Sequence, residues 1–206
     1  MNIGEAPLIY TIGHSTHATS QFVELLAKHH VDVVADVRSS PYSRFQPQYN
    51  REALRDHLKS EGIQYVFLGA ELGARSNDPN CYVEGRVQYD RLAQSSCYRQ
   101  GLERLIDGAK SHVIAIMCSE KDPLECHRTL LVAQTLVANG PKITHIMADG
   151  TLETHDSTLN RLLRQMGLPE EDVFGERAEL VSVALKKQEH RIAFVDKNLI
   201  ESVGSE

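Results

Sequence analysis

The sequence predicts an α/β protein of three layers: a doubly wound, mainly parallel five-stranded sheet with flanking helices. Two observations carry this expectation. Short runs rich in valine and isoleucine recur along the chain, and several are apolar on both faces, as strands inside a parallel sheet must be. Each run gives way to a segment whose apolar residues follow helical spacing, so strand and helix alternate. Leu8 to Ile12 reads as the first strand, followed by the turn Gly13 to His17 and a helix capped by Thr19 or Ser20 that presents Phe22, Leu25 and Leu26. Val31 to Val37 is the second strand. Asp36 and Arg38 share a face at its end because side chains alternate with period two. The segment Ser39 to Tyr49, with Pro41, Pro47 and three aromatics, is a loop too aromatic to be an idle linker. Asn50 caps the next helix and Gly62 ends it.

Ile63 to Leu68 supplies the third strand and runs into Gly69-Ala70-Glu71-Leu72-Gly73, where two glycines bracket a carboxylate and imply a tight turn or close approach. Residues 76–88 read as a loop and 89–110 as one or two helices. The apolar run Val113 to Met117 is a fourth strand, ending at Cys118. Asp122-Pro123-Leu124-Glu125 has the composition of a helix start, with an acceptor at the cap and proline at the first position, which places Cys126 in the second turn. Asn139-Gly140-Pro141 stops that helix. Ile143 to Ala148 is the fifth strand, and Asp149-Gly150 turns into a helix near Ser157 to Met166. Residues 1–167 are thus expected to form a single α/β domain carrying the site, with 168–206 a charged, partly helical C-terminal extension.

Composition narrows the class. With 206 residues, 41% hydrophobic and 24% charged, the chain can bury a full core. No apolar stretch approaches ~20 residues and the start lacks a basic, hydrophobic leader, so a cytoplasmic protein with no membrane partner is expected. A net charge of −6 argues against coating nucleic acid by bulk electrostatics. The one cationic segment is Arg38, Arg44, Arg51 and Arg55. Four cysteines without a Cys-x-x-Cys pair suggest reduced thiols rather than a disulfide framework.

Chemistry concentrates where strands end, the place at which open α/β sheets bind ligands. Cys118 and Glu120 follow the fourth strand, His14 the first, Asp36 and Arg38 the second, and Glu71 the third. Cys126 and Cys118 are candidate nucleophiles, and the helix dipole with Arg128 would favour a Cys126 thiolate. Cys126 also shares a helical face with Leu130, Ala133 and Val137, the pattern of a plain core residue. His127, adjacent to Cys126 on a helix, would point about 100° away, so His14 is the expected base. Glu120 or Asp36 would orient it or donate a proton. Arg38, Arg44 and Arg128 would clamp an anionic substrate, with His127, Tyr42 and Glu71 beside it. No Gly-x-Gly-x-x-Gly, P-loop, Gly-x-Ser-x-Gly or His-Glu-x-x-His motif is present, and position 124 or 132 is not the arginine of a phosphatase loop. Cys118, Cys126, His127 and His14 could together hold zinc or iron, although their spacing matches no common zinc pattern and no cofactor is required by the sequence.

Four segments, Thr11-Ile12-Gly13-His14-Ser15, Asp36-Val37-Arg38-Ser39-Ser40-Pro41-Tyr42-Ser43, Leu68-Gly69-Ala70-Glu71-Leu72-Gly73, and Cys118-Ser119-Glu120 with Cys126-His127-Arg128, resemble in order those of the domain-of-unknown-function family numbered 488. The resemblance spans roughly residues 8 to 150 and implies an α/β fold with a polar site built from these segments; it brings no established activity. The expectation is therefore an intracellular thiol-dependent hydrolase or transferase acting on a nucleotide, nucleic-acid fragment or other phosphate or carboxylate compound. Two alternatives stand beside it: a non-catalytic nucleic-acid or protein binding module, in which Tyr42, Phe45 and Tyr49 stack on bases, and a Cys/His metal-binding protein.

Overall fold

The computed structural model describes residues 6–170 and 177–201. In chain order its elements are β1 (Leu8–Gly13), α1 (Thr19–Lys28), β2 (Val33–Asp36), α2 (Arg51–Ser60), β3 (Gln64–Phe67), α3 (Gly69–Leu72), the hairpin β4 (Tyr82–Val83) and β5 (Arg86–Val87), and α4 (Tyr89–Ala93). There follow α5 (Ser96–Gly108), β6 (Ile114–Cys118), α6 (Gln134–Ala138), β7 (Lys142–Ile146), β8 (Leu152–Thr154), α7 (His155–Gln165), α8 (Arg177–Ile192) and α9 (Lys197–Glu201). The central sheet runs β3-β2-β6-β1-β7-β8, parallel except that β8 returns antiparallel along β7.

The expected α/β class and mainly parallel sheet are therefore present, but the strand count needs correction: the sheet has six strands, not five. Asp149-Gly150 makes a tight turn into β8 instead of leading straight to a helix, with Gly150 at φ 77° supplying the left-handed turn. Residues 76–88 are likewise not a plain loop; they hold the β4–β5 hairpin. Such short strands carry too few residues for periodicity to register.

Core packing follows from strands buried on both faces. Ile9, Val33, Ala35, Val37, Ile114 and Ile116 face α5, α6 and α7, whereas Ile12, Val34, Ala115, Met117 and Ile146 face α1 and α2. Parallel pairing aligns the strand ends: Gly13 lies opposite Cys118 and Asp36 opposite Met117. Pairing persists past the strands, with His14 N–H donating to Cys118 O at 2.9 Å, Ser15 N–H to Ser119 O at 2.9 Å and Val37 N–H to Met117 O at 3.1 Å. Three loops thus leave one rim side by side. Their closeness depends on Gly13, where a Cβ would stand 1.9 Å from the Glu120 carbonyl oxygen.

The C-terminal extension folds back over this rim. In α8, Gln188 Nε2 donates to Leu124 O at 2.8 Å and Glu189 Oε1 accepts from Tyr89 N–H at 2.7 Å. The guanidinium of Arg75 stacks on the Phe194 ring, 4.6 Å from its centroid.

Candidate active site

The chain after β6 departs from the expected helix, and this decides the site. Pro123–Glu125 form one 3-10 turn, capped as anticipated by Asp122 Oδ1 accepting from Leu124 N–H at 2.9 Å. Cys126 is then fully extended (φ −141°, ψ 139°), and a π-helical stretch runs from Arg128 to Ala133. Cys126 is therefore not in a second helical turn, and His127, expected to point away from it, turns toward it instead. His127 Nδ1 lies 3.9 Å from Cys126 Sγ and 3.7 Å from Cys118 Sγ. One imidazole serves both sulfurs.

Around this pair, Cys118 Sγ donates to Glu120 Oε2 at 3.1 Å, Arg128 N–H donates to Cys126 Sγ at 3.4 Å, and His127 Nε2–H donates to Val37 O at 3.0 Å. The Val37 carbonyl only accepts, so the ring proton sits on Nε2 and the Nδ1 edge is turned to the thiols. Cys118, through its contact with Cys126 and its burial, is held protonated, well above the ordinary thiol range. Burial opposes a thiolate at Cys126 as well, yet the contact with Cys118, the Arg128 charge and His127 outweigh it and hold that thiol well below the usual range. Partial desolvation against the cavity and the neighbouring Cys126 push the Glu120 carboxyl up, although the residue stays open to solvent.

These groups floor a cavity of about 230 Å³ whose walls include Arg38, Ser39, Ser40, Arg75, Tyr89 and Phe194. Of the residues singled out by sequence, Cys118, Cys126, His127, Glu120 and Arg38 line it. His14 and Asp36 stand behind it. Asp36 accepts from Arg38 Nε at 2.9 Å and Nη2 at 2.7 Å, and from Tyr65 OH at 2.7 Å. Arg38 also donates from Nη2 to Tyr49 O at 2.8 Å and from Nη1 to His14 Nε2 at 3.3 Å, so four of its five N–H donors are committed. His14 donates through Nδ1 to Ser15 O and stacks on Tyr49, with ring centroids 4.1 Å apart. Burial and the Arg38 charge lower it to about 4. It therefore buttresses Arg38, and His127 is the imidazole within reach of the thiols.

The remaining expected residues lie elsewhere. Arg128 is wholly buried, donating from Nη1 to Glu120 O at 2.7 Å and from Nη2 to Lys121 O at 3.3 Å, so it braces the loop beneath the cavity. Arg44 stacks on Phe45, Tyr42 donates to Glu52 at 2.8 Å, and Glu71 pairs with Arg104. Sequence reasoning missed Arg75, Tyr89 and Phe194. Arg75 follows the bracketed segment Gly69 to Gly73, whose close approach is observed: a Cβ at Gly69 would lie 2.0 Å from Arg38 O. The charged composition of the extension gave no sign that Phe194 would reach the rim.

Fold and site together define an α/β protein with a two-thiol, one-imidazole cluster at the carboxyl rim of its parallel sheet. A family model, "Domain of unknown function DUF488", matches residues 18–135, more than half of the chain, and the chain belongs to that family. No curated protein and no solved structure matches it.

Proposed function

We propose that the chain is an enzyme that hydrolyses, or transfers a group from, a small anionic substrate taken into this cavity. The observation that carries the reading is convergence: two thiols, an imidazole and a carboxyl floor a cavity with a guanidinium at its rim. Arg75 is exposed, packs on Phe194 and has no carboxylate partner among the described residues, so its planar two-pronged face is available to a phosphate or carboxylate. The remaining Arg38 N–H on Nη1 adds a second donor. At about 230 Å³ the space falls below the ~300–1,000 Å³ of drug-sized pockets, which suits a small compound or one end of a nucleotide. Glu120 is the proton-handling group because its carboxyl borders both the cavity and the Cys118 thiol.

A panel of phosphate esters, nucleotides and carboxylate esters tests this reading against Arg75→Met and Glu120→Gln. Arg75→Met is expected to raise KM about 10- to 100-fold with little change in kcat, as loss of an anchor felt equally in both states does. Glu120→Gln is expected to lower kcat by about 10²–10⁴. A folded chain that binds and turns over no member of the panel contradicts the reading.

A second reading keeps the cavity and makes Cys126 itself the attacking group. The Arg128 amide 3.4 Å from its Sγ and the imidazole beside it favour this. Selective alkylation of Cys126 by iodoacetamide, located by mass spectrometry, supports it; alkylation confined to the exposed Cys97 removes it.

A further inference from the structure

We propose that Cys118, Cys126 and His127 form the binding site of a zinc-type divalent cation whose fourth position opens into the cavity. This inference rests on the reading of the cavity as an active centre and adds the group that would perform its chemistry.

Donor geometry is the first argument. Tetrahedral bonds of about 2.3 Å to sulfur and 2.0–2.1 Å to nitrogen put a sulfur and a nitrogen ligand about 3.6 Å apart. His127 Nδ1 stands 3.7 Å and 3.9 Å from the two sulfurs, and all three donor atoms lie within 4.8 Å of one another. Tetrahedral bonding sets two sulfur ligands about 3.8 Å apart, so an approach of the two sulfurs by at most about 1 Å closes the set around one ion.

Ring orientation is the second argument. A histidine that ligates through one nitrogen usually gives its other N–H to a carbonyl or carboxylate, which fixes the tautomer and the direction of the lone pair. His127 does this through Nε2–H to Val37 O, leaving Nδ1 aimed between the sulfurs. The Arg128 N–H directed at Cys126 Sγ is a second supporting contact of the same kind.

Charge favours the ion as well. Cys118 and Cys126 are 4% and 1% exposed, and two bare thiolates there would be costly to desolvate. A dication cancels them, and the thiol proton that Cys118 carries leaves to solvent on binding. Two sulfurs and one nitrogen select a soft ion such as zinc over magnesium or calcium. Three protein donors plus an open position are the pattern of catalytic sites, whereas structural zinc sites are closed by four. Glu120 Oε2, 3.1 Å from Cys118 Sγ, stands beside the donor set, placed to exchange a proton with whatever fills the open position.

The test uses the full chain without a polyhistidine tag, purified from zinc-supplemented cells, with metal content read by plasma mass spectrometry and the zinc then exchanged for cobalt. The expected result is one zinc per chain, thiolate-to-cobalt charge-transfer absorption in the near ultraviolet and the strong visible bands of tetrahedral cobalt. Cys126→Ser and His127→Gln, each checked for native circular dichroism, should lose zinc affinity by more than about tenfold in chelator competition. Cys97→Ser, outside the cluster, should retain it. A folded, zinc-free chain that gives no cobalt–thiolate band overturns the site, as does zinc retained undiminished by both ligand variants. Turnover that persists after chelation removes the cation and leaves the enzyme reading intact; stoichiometric zinc in a chain that neither binds nor turns over an anion does the reverse.

Discussion

Arg128 illustrates how much a single side chain carries here. It is fully buried, its Nη atoms hold the carbonyls of Glu120 and Lys121, and its Nε has no hydrogen-bond partner among the described residues. Replacing it with alanine would strand two carbonyls and open a void, so a loss of about 3 kcal/mol or more is expected from urea unfolding, with lysine a poor substitute because it lacks the fork. Asp36→Asn should cost a similar ~3–5 kcal/mol, since it leaves the buried Arg38 guanidinium without its carboxylate. Both residues were legible as polar groups near the rim. Their separate roles were not, because a position on a strand or a helix says which face a residue occupies and nothing about which neighbour claims its hydrogen bonds. His14 went the same way: its position on the rim was readable, but its lone pair is taken by Arg38.

Among elements, the stretch from Asp122 to Ala133 departs most from expectation. Its cap, proline and glutamate read as a helix start, yet only one 3-10 turn forms before Cys126 extends and a π-helical run begins. Composition could not reveal this, because what competes with the helix is tertiary: Arg161 grips Asp122 in a two-pronged pair at 2.8 and 3.0 Å, and Gln188 takes the Leu124 carbonyl that a continuing helix would use. Without that break His127 would face away from Cys126. Gln188→Ala should therefore do two things: destabilise the chain by about 1–3 kcal/mol by stranding a buried acceptor, and slow any reaction at the cavity without touching it. Chemical denaturation and steady-state kinetics read the two effects separately. Unchanged stability would show that α8 does not hold the turn.

Over the whole molecule, the alternation of strands and helices was readable because most parallel strands lie within apolar, β-branched stretches of the sequence, while the edge strand β8 and the hairpin were too short to stand out. The sheet also hides a relay: Thr11 Oγ1–H donates to His145 Nδ1 at 2.7 Å, His145 Nε2–H to His155 Nδ1 at 3.1 Å and His155 Nε2–H to Gln134 Oε1 at 2.9 Å. This chain runs one way only if both rings are neutral. Burial holds His155 to about 4 and His145 well below the usual imidazole range, and burial with Arg38 holds His14 to about 4. In the unfolded chain all three titrate near 6.5, so unfolding takes up protons below that pH. Stability is therefore full above pH 6.5 and falls as pH drops toward 4, by about 3 kcal/mol for each of His14 and His155 at the lower limit. His127, which the Cys126 contact raises against its own burial, acts with the opposite sign. Urea midpoints measured from pH 7.5 to 4 check the net fall, and a flat profile would mean that the relay is not buried as described.

On the proposed reading, loops from three strand ends and the C-terminal extension build one anion-accepting cavity over the thiol cluster. A crystal structure of the chain soaked in phosphate tests it most directly. Phosphate density is expected inside the cavity, against the Arg75 guanidinium and the Arg38 Nη1 donor and above Cys126, and is expected to be lost in Arg75→Met. Phosphate found only on the outer surface, with the cavity filled by protein side chains, would contradict it.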